Sequence, residues 1–423
     1  MAFAPARAPR FEPQRWRARV CAVLFALGWP ALATAADGPE RQLLEAVQAL
    51  QQGDSRAALE QLEQLVHREP RFRLAQLLYG EVLAARSGVA VADPLIDRND
   101  PHVRALLQEL HARLAAAGDQ APPPEALPDA ILRLSARHRY AVVVDLPHAR
   151  LYVLKNNGGT LARAGDYYVS LAKHGYGKRS AGDLRTPVGV YRVTGFKPGR
   201  ELPAFYGAGA FPLNYPNGWD RLHGRDGDGI WLHGVPREVY ARPPRASEGC
   251  VVLANDDLLA LKPVLLADDT PVVLGDELQW RDAATLAQET EALERLIEDW
   301  RASLAARDAR RYAAFYAEDF RDGRGLDKAG FVAAQRRFVD TRRRLKVRVR
   351  DLDLFRYPGE RGLVLARFVE EVGSGRRRRL IRKEQYWRRE PDGRWLIVCE
   401  ENPAPQPSAQ PARLRTALAT SAE

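Results

Sequence analysis

The sequence has little cysteine and only one long apolar run. Three cysteines among 423 residues, Cys21, Cys250 and Cys399, are too few for a disulfide framework. Beyond residue 32 no apolar stretch approaches a membrane span, and Gly (32) and Pro (29) are near average use, which excludes a fibrous or mostly disordered chain. The composition is that of a globular protein, and the length predicts about two or three folded domains.

Positive charge is in excess. Lys and Arg number 64 against 54 for Asp and Glu, for a net charge of +10. This charge suits an anionic partner such as nucleic acid, phospholipid or an acidic polymer, and charge alone does not choose among them. The basic runs at 342–344 and 376–379 are interpreted as solvated faces or a strand turn, with contact to an anionic envelope surface as the alternative.

Residues 1–36 have the pattern of an export signal. Five arginines precede an apolar run over residues 20–32, and the small residues 33–35 supply a signal-peptidase site. Because the run is short and Pro30 interrupts it, we expect cleavage; an uncleaved membrane anchor is the alternative. Cleavage would remove five arginines and Glu12, lowering the net charge from +10 to +6.

Residues 37–117 repeat apolar side chains at helical spacing and predict helical hairpins. The pair of helices between Gly53 and Gly88 resembles a tetratricopeptide repeat. A single unit favours a module that packs on its neighbour or mediates association over a peptide-binding groove, because arrays need three or more repeats. Residues 118–138, with three consecutive prolines at 122–124, predict an extended linker.

Residues 139–276 change to short β-branched and aromatic runs separated by Gly, Pro and Asn, which predicts a β-rich domain. One short helix is expected inside it, from Asp256 to about Leu261, with Asn255 as its N-cap and Pro263 limiting its far end.

Residues 282–402 predict three helices, at 289–306, 309–320 and 331–344, followed by four strands. The aromatic and charged positions of this region, including Trp300, Tyr312, Trp387 and Trp395, resemble the nuclear-transport-factor-two-like cone fold. Residues 403–423, rich in Ala, Pro and Ser, predict a disordered tail. The predicted fold class is therefore multidomain α+β, with N-terminal helical hairpins, a central β-rich domain and a C-terminal α+β cone.

The most informative pair of residues is His233, at the end of an apolar strand, and Cys250, seventeen positions later. A thiol has a pKa of about 8.5, and a nearby imidazole can take its proton and hold the thiolate as an ion pair. Gly249 lets the backbone come close, so that peptide N–H groups can face a carbonyl oxygen as it gains charge. Either residue alone is more often structural, but together they predict a nucleophile and its base.

At these residues the sequence resembles the L,D-transpeptidase (YkuD-type) catalytic domain, over roughly residues 140–275. The resemblance implies Cys250 as the nucleophile and His233 as the base, with Gly234, Ser247 and Gly249 as orienting or oxyanion-binding residues. Further motifs match in order: Val144-Asp145 with Arg150-Leu151-Tyr152, the Thr-Pro-x-Gly turn within Gly182 to Gly189, and Asn214 to Asn217 with Gly227 to Ile230.

The sequence departs from the family pattern beside the nucleophile. The family's Ser-His-Gly-Cys-x-Arg is here Ser247-Glu248-Gly249-Cys250-Val251-Val252, so a histidine is replaced by Glu248 and an arginine by Val252. Neither is the nucleophile or the base. We expect Arg242 or Arg245 to supply the missing cation for a substrate carboxylate.

The resemblance implies a periplasmic peptidoglycan L,D-transpeptidase that forms a cysteine thioester and then crosslinks stem peptides, or attaches envelope proteins, during cell wall remodelling and the control of cell shape. The alternatives are a Cys–His peptidoglycan hydrolase or amidase that uses water, and a noncatalytic envelope-binding protein. No cofactor and no nucleic-acid partner are expected, and the sequence has no pattern that specifies an oligomeric state. Metal catalysis is not expected, because His233 and Cys250 lack companions at ligand spacing.

Overall fold

The computed structural model describes residues 38–86, 97, 99–118, 121–267, 269–340, 345–374 and 377–403. The predicted export signal and residues 404–423 of the predicted tail lie outside the described residues. Among the helices that are described, none is both long enough and apolar enough to cross a bilayer.

The N-terminal helices are present as predicted. Asp54 caps the second helix by accepting a hydrogen bond from the Ala57 N–H, and Asp100 caps the fourth in the same way. Apolar side chains at helical spacing, including the buried Leu43, Leu62 and Phe72, form a core between them. The helices are α1 (Pro39–Gln51), α2 (Ser55–Arg68), α3 (Arg73–Arg86) and α4 (Pro101–Ala117).

The segment predicted to be a linker contains two short strands, β1 (Leu127–Pro128) and β2 (Ile131–Arg133). β1 pairs antiparallel with residues 280–281 and β2 with the long strand at residues 346–356. Ile131 is buried by this pairing. The segment therefore forms part of two sheets, through pairing partners more than 150 residues away that local composition does not reveal.

The central domain is β-rich and built on a five-stranded sheet of order β5-β4-β3-β13-β7, in which β13 is parallel to β3. A smaller sheet of order β12-β10-β9-β8 lies beside it. The elements are β3 (Tyr140–Asp145), β4 (Arg150–Asn157), β5 (Thr160–Tyr168), β6 (Leu171–Ala172), β7 (Gly189–Arg192), β8 (Lys197–Pro198), β9 (Gly209–Pro212), α5 (Gly218–Leu222), β10 (Trp231–His233), β11 (Arg245–Ser247), β12 (Val251–Val252), α6 (Asn255–Leu265), β13 (Pro271–Gly275) and β14 (Trp280–Arg281).

The C-terminal domain has the predicted α+β pattern, with helices packed on a sheet of order β15-β19-β18-β17-β16-β2. Trp300 is fully buried between the long helix and this sheet. The elements are α7 (Ala283–Ala306), α8 (Ala309–Ala313), β15 (Tyr316–Asp322), α9 (Lys328–Asp340), β16 (Lys346–Arg356), β17 (Leu363–Ser374), β18 (Arg377–Arg389) and β19 (Trp395–Glu401).

One predicted helix of this domain was wrong in its second half. The helix expected at 309–320 ends at Ala313, and the residues from Tyr316 onward form β15. Tyr316 pairs in parallel with Ile397 of β19, and its ring is buried. Strand pairing and burial in the sheet thus outweigh the helical spacing of the aromatic residues.

The central and C-terminal domains share a packed interface around α5. The Trp219 ring stacks on Tyr386 with centroids 5.4 Å apart, and its Nε1 donates to Glu360 at 3.1 Å. Asn217, the N-cap of α5, donates from Nδ2 to the Tyr357 hydroxyl at 2.8 Å. Because α5 lies between β9 and β10 in the chain, this interface fixes the approach to the strand that carries His233.

Candidate active site

Two short strands bring the predicted nucleophile and base together. β10 ends at His233, and β12 begins directly after Cys250. The two strands are parallel, with Leu232 opposite Val251 and His233 opposite Val252. Both strands are apolar and buried, so the pairing is held by the core beneath it. Residues seventeen apart in sequence therefore lie at adjacent strands of one sheet.

The His233 ring is buried and has a defined orientation. Its Nδ1 lies 2.6 Å from the Gly234 carbonyl oxygen. A carbonyl oxygen only accepts, so Nδ1 carries the proton and Nε2 is left as the basic nitrogen. Burial lowers the pKa of His233 to about 4, although the hydrogen bond to Gly234 opposes this change. The imidazole is therefore neutral at neutral pH.

Cys250 is half-buried, and its thiol is protonated at rest. Sγ–H donates to the Gly229 carbonyl at 3.2 Å. Burial raises the pKa of the Cys250 thiol to about 11, although a hydrogen bond from the Trp231 main chain and the charge of Arg242 favour the thiolate. The thiolate–imidazolium ion pair expected from the sequence is thus replaced at rest by a neutral thiol and a neutral imidazole, because burial disfavours both charged forms.

Ser247 and Gly249 shape the turn that carries Cys250. The Ser247 hydroxyl donates to the Cys250 carbonyl at 2.7 Å and accepts from the Gly249 N–H at 3.3 Å. Gly249 has a φ of +142°, and a Cβ there would lie 3.0 Å from Ile230 Cδ1 and 3.2 Å from the Arg185 carbonyl oxygen. Both residues are packed within the turn around Cys250, which suits a role in orienting its side chain.

The main-chain N–H of Cys250 is the donor left over in this turn. Within the described part of the chain it has no hydrogen-bond acceptor. An unpaired N–H on the nucleophilic residue itself can face an oxyanion that forms on the attacked carbonyl group.

Asn255 is a site residue that sequence reasoning placed in the wrong role. It is the first residue of α6 rather than its N-cap, which is Ala254, and α6 continues through Pro263 to Leu265. Its Oδ1 accepts from the Ala208 N–H at 2.8 Å, and its Nδ2 donates to the Val235 carbonyl at 2.9 Å. The side chain thus satisfies two distant main-chain groups instead of capping its own helix.

Gly234 is required at this point by close approach. A Cβ on Gly234 would lie 2.1 Å from Asn255 Oδ1. Any side chain there would push Asn255 away and displace the carbonyl that orients His233. Asn255 and Gly234 together therefore fix the chain that directly follows His233.

Arg242 and Arg245, the two candidate cations, are separated by the structure. The half-buried Arg242 lies close enough to His233 and Cys250 for its positive charge to favour the neutral imidazole and the thiolate. Its guanidinium is 4.1 Å from the centroid of the Phe205 ring. Arg245 is exposed, in β11. Of the two, Arg242 is the cation brought to the site.

The rings of Phe205, Tyr206 and Trp231 form an aromatic wall beside His233. The Tyr206 ring lies 5.0 Å from the His233 ring and 4.9 Å from the Trp231 ring. Phe205, 5.7 Å from His233, is 47% exposed. The sequence showed no signal for this wall, because it forms where a short 3₁₀ turn at residues 204–206 is folded back over β10.

The segment before the Thr-Pro-x-Gly motif contacts the turn that carries Cys250, since the Arg185 carbonyl oxygen lies 3.2 Å from the position of a Cβ on Gly249. Asp183 accepts hydrogen bonds from Lys178 Nζ at 2.8 Å and from the main-chain N–H groups of residues 179, 180 and 185. These bonds outweigh its partial burial and lower the pKa of Asp183 to about 2. Glu248, which replaces the family's histidine, is exposed and pairs with Lys173 at 3.3 Å. The bonds to Asp183 hold the segment before the motif in place, and Glu248 lies at the surface beside Cys250.

Two family matches cover most of the described central and C-terminal regions. Residues 139–274 match the L,D-transpeptidase catalytic domain (YkuD), and residues 292–401 match the Cds6 C-terminal NTF2-like domain. A comparison with curated proteins finds no match.

Solved structures of similar architecture cover most of the chain. Bd1075 of Bdellovibrio bacteriovorus is 26% identical with a TM-score of 0.57, and the match covers 66% of this chain and 99% of Bd1075. The helical cell shape determining protein Pgp2 of Campylobacter jejuni is 20% identical with a TM-score of 0.53, and the match covers 69% of this chain and 98% of Pgp2. At that identity Pgp2 shows a shared fold.

Proposed function

Because the chain contains an L,D-transpeptidase catalytic domain followed by an NTF2-like domain, we propose that it is a peptidoglycan L,D-transpeptidase that works through a thioester on Cys250. The observation that carries the proposal is the parallel pairing of β10 with β12, which sets Cys250 beside a base whose Nδ1 is fixed by the Gly234 carbonyl. The domain implies peptidoglycan stem peptides as substrates and the cell envelope as the place of action.

In the acylation step, Cys250 Sγ attacks the carbonyl carbon of the third residue of a stem tetrapeptide. The thiol proton passes to His233 Nε2 as the sulfur–carbon bond forms, so that imidazolium and oxyanion appear together and stabilise each other. The Cys250 N–H donates to the oxyanion. The carbon–nitrogen bond then breaks, the protonated His233 gives its proton to the leaving D-alanine amine, and a thioester remains.

In the second step an amine attacks the thioester carbonyl, and His233 Nε2 takes the proton that the amine loses. The amine belongs to the side chain of another stem, which gives a crosslink, or to a lysine of an envelope protein. The thiol is then regenerated. Water in place of the amine would make the same site a hydrolase.

Arg242 is the residue we assign to a substrate carboxylate. Its charge acts on both His233 and Cys250, and its guanidinium is held against the Phe205 ring. A guanidinium binds a carboxylate through two parallel hydrogen bonds, which fixes direction as well as charge. This role compensates for Val252, which replaces the arginine of the family pattern.

Export directed by residues 1–36, as their pattern predicts, would place the site in the periplasm, either free after cleavage or on an inner-membrane anchor. A role in cell wall remodelling and cell shape accords with the shape-determining activity named for Pgp2. A noncatalytic envelope-binding protein would have no need for a fixed tautomer on His233.

The proposal is tested by incubating the purified protein with a defined stem tetrapeptide and an acceptor stem, and weighing the products. A crosslinked product with release of D-alanine supports it. Tripeptide as the sole product would show a hydrolase. Unchanged peptides, when both the wild-type protein and the Cys399→Ala control are folded, would support the noncatalytic alternative.

A further inference from the structure

The segment that joins β10 to β11, residues 234–244, is held by the N-terminal helices. The Tyr240 ring lies 4.3 Å from the Phe72 ring, centroid to centroid. The Tyr240 main-chain N–H donates to the Arg71 carbonyl at 3.2 Å. The Arg71 guanidinium in turn donates to the Arg237 carbonyl at 2.7 Å. Two residues of the helical region therefore make three contacts with this segment.

Phe72 and Arg71 belong to the α2–α3 turn, residues 69–72. The turn is closed by a hydrogen bond from the Phe72 N–H to the Glu69 carbonyl at 3.0 Å. Phe72 is 1% exposed and is part of the apolar core of the helical region. The ring that Tyr240 contacts is therefore fixed by the whole helical region and not by a flexible loop.

The far end of the segment is braced by the same region. The Tyr168 hydroxyl donates to the Arg242 carbonyl at 2.9 Å. The Arg113 guanidinium lies 3.9 Å from the centroid of the Tyr168 ring. Arg113 is itself buried between Glu40 and Glu109, at 3.1 Å and 2.8 Å. The segment is therefore braced both at Tyr240 and at the main chain of Arg242.

We propose that the N-terminal helical region is part of the transpeptidase site, and that Phe72 of the α2–α3 turn is a positioning residue that holds Arg242 beside Cys250. Tyr240 is two residues before Arg242, so a shift of the Tyr240 ring moves the guanidinium with it. The consequence for catalysis rests on the proposed function, but the position of Arg242 can be measured without substrate.

The charge of Arg242 at the thiol can be read from two alkylating reagents. Iodoacetate is an anion and iodoacetamide is neutral, and both need the Cys250 thiolate, so the ratio of their rate constants cancels the thiolate fraction. A cation near the sulfur raises this ratio. We expect Arg242→Ala to lower the ratio by roughly three- to tenfold at low salt.

The test is Phe72→Ala in the full chain. We expect it to lower the iodoacetate-to-iodoacetamide ratio at least twofold, and the double variant with Arg242→Ala to show no further loss, because the ring acts through Arg242. Phe72→Tyr keeps the ring and should keep the wild-type ratio. Leu62→Ala, in the same helical core but about two turns along α2 from the α2–α3 turn, is the matched control for lost burial.

An unchanged ratio in a folded Phe72→Ala protein, or equal losses in Phe72→Ala and Leu62→Ala, overturns the inference. If Phe72→Ala does not fold, Arg71→Ala removes only the contact to the Arg237 carbonyl and must still lower the ratio. With the stem tetrapeptide, Phe72→Ala should raise KM more than it lowers kcat. The expected losses of ratio in Arg242→Ala and Phe72→Ala, without any stem-peptide reaction in the wild type, would refute the proposed function and leave the positioning of Arg242 established.

Discussion

The pH dependence of Cys250 alkylation is the prediction that follows most directly from the site. Burial raises the pKa of this thiol to about 11 and lowers the pKa of His233 to about 4. Between these values both groups are neutral. With a thiol pKa near 11, the thiolate fraction is about 0.0001 at pH 7 and about 0.01 at pH 9. Iodoacetamide should therefore modify Cys250 about 100-fold faster at pH 9 than at pH 7.

The assay follows the Cys250 peptide by mass spectrometry after timed exposure to iodoacetamide between pH 5 and pH 10. Cys399 is a built-in comparison, since it is 2% exposed and burial also raises its pKa. Modification of Cys250 should rise about tenfold per pH unit through this range. A rate that is already constant above about pH 6 would show a resting thiolate–imidazolium pair and would refute the reasoning from burial.

Three further predictions concern the supports of the site. Trp219→Ala removes a buried ring and its hydrogen bond to Glu360, and should lower the free energy of unfolding by about 3–5 kcal/mol in urea titrations; a loss below about 1 kcal/mol would contradict a packed domain interface. Asn255→Ala leaves the Ala208 N–H and the Val235 carbonyl unpaired, and should cost about 2–4 kcal/mol and reduce turnover; unchanged turnover would mean that the chain beyond His233 does not need this support. A carbapenem should acylate the wild-type protein but not Cys250→Ala. Acylation should be faster in Glu248→Gln than in wild type, because the Glu248 charge disfavours the thiolate. Intact-mass spectra that show an adduct on both wild type and Cys250→Ala would contradict the assignment of the site.

The sequence predicts His233 and Cys250 as the reactive pair because both stand in ordered motifs whose spacing is local; the structure puts them at adjacent strands, and their chemical roles stay a prediction. The α+β class and the N-terminal helices were predictable for the same reason, since hydrophobic periodicity is read within a short window. The parallel pairing of β10 with β12 was not predicted, although each strand is a short run beside His233 or Cys250.

Other features depend on contacts between distant parts of the chain. Asn255 has the position of a helix cap in the sequence, but the unpaired main-chain groups that it satisfies are 20 and 47 residues away. β15 has helical spacing and forms a strand because β19 lies next to it. Phe72 and Tyr240 are unremarkable in the sequence, and their contact exists only once two domains are packed together.

The protonation state of the site also could not be predicted from composition. A cysteine and a histidine can form an ion pair or remain neutral, and the choice depends on how much water reaches them. His233 is 1% exposed, and that burial decides for the neutral imidazole.

The thioester on Cys250 is the central claim, and its most direct test is to trap it. The full-length protein is mixed with a stem tetrapeptide without an acceptor amine, quenched in acid, and weighed intact. We expect a mass increase equal to the tripeptide acyl group on wild type and on Cys399→Ala, located to Cys250 by peptide mapping, and no increase on Cys250→Ala. An adduct of equal yield on Cys250→Ala would contradict this claim. Release of D-alanine by a protein that forms no adduct at Cys250 would also contradict it.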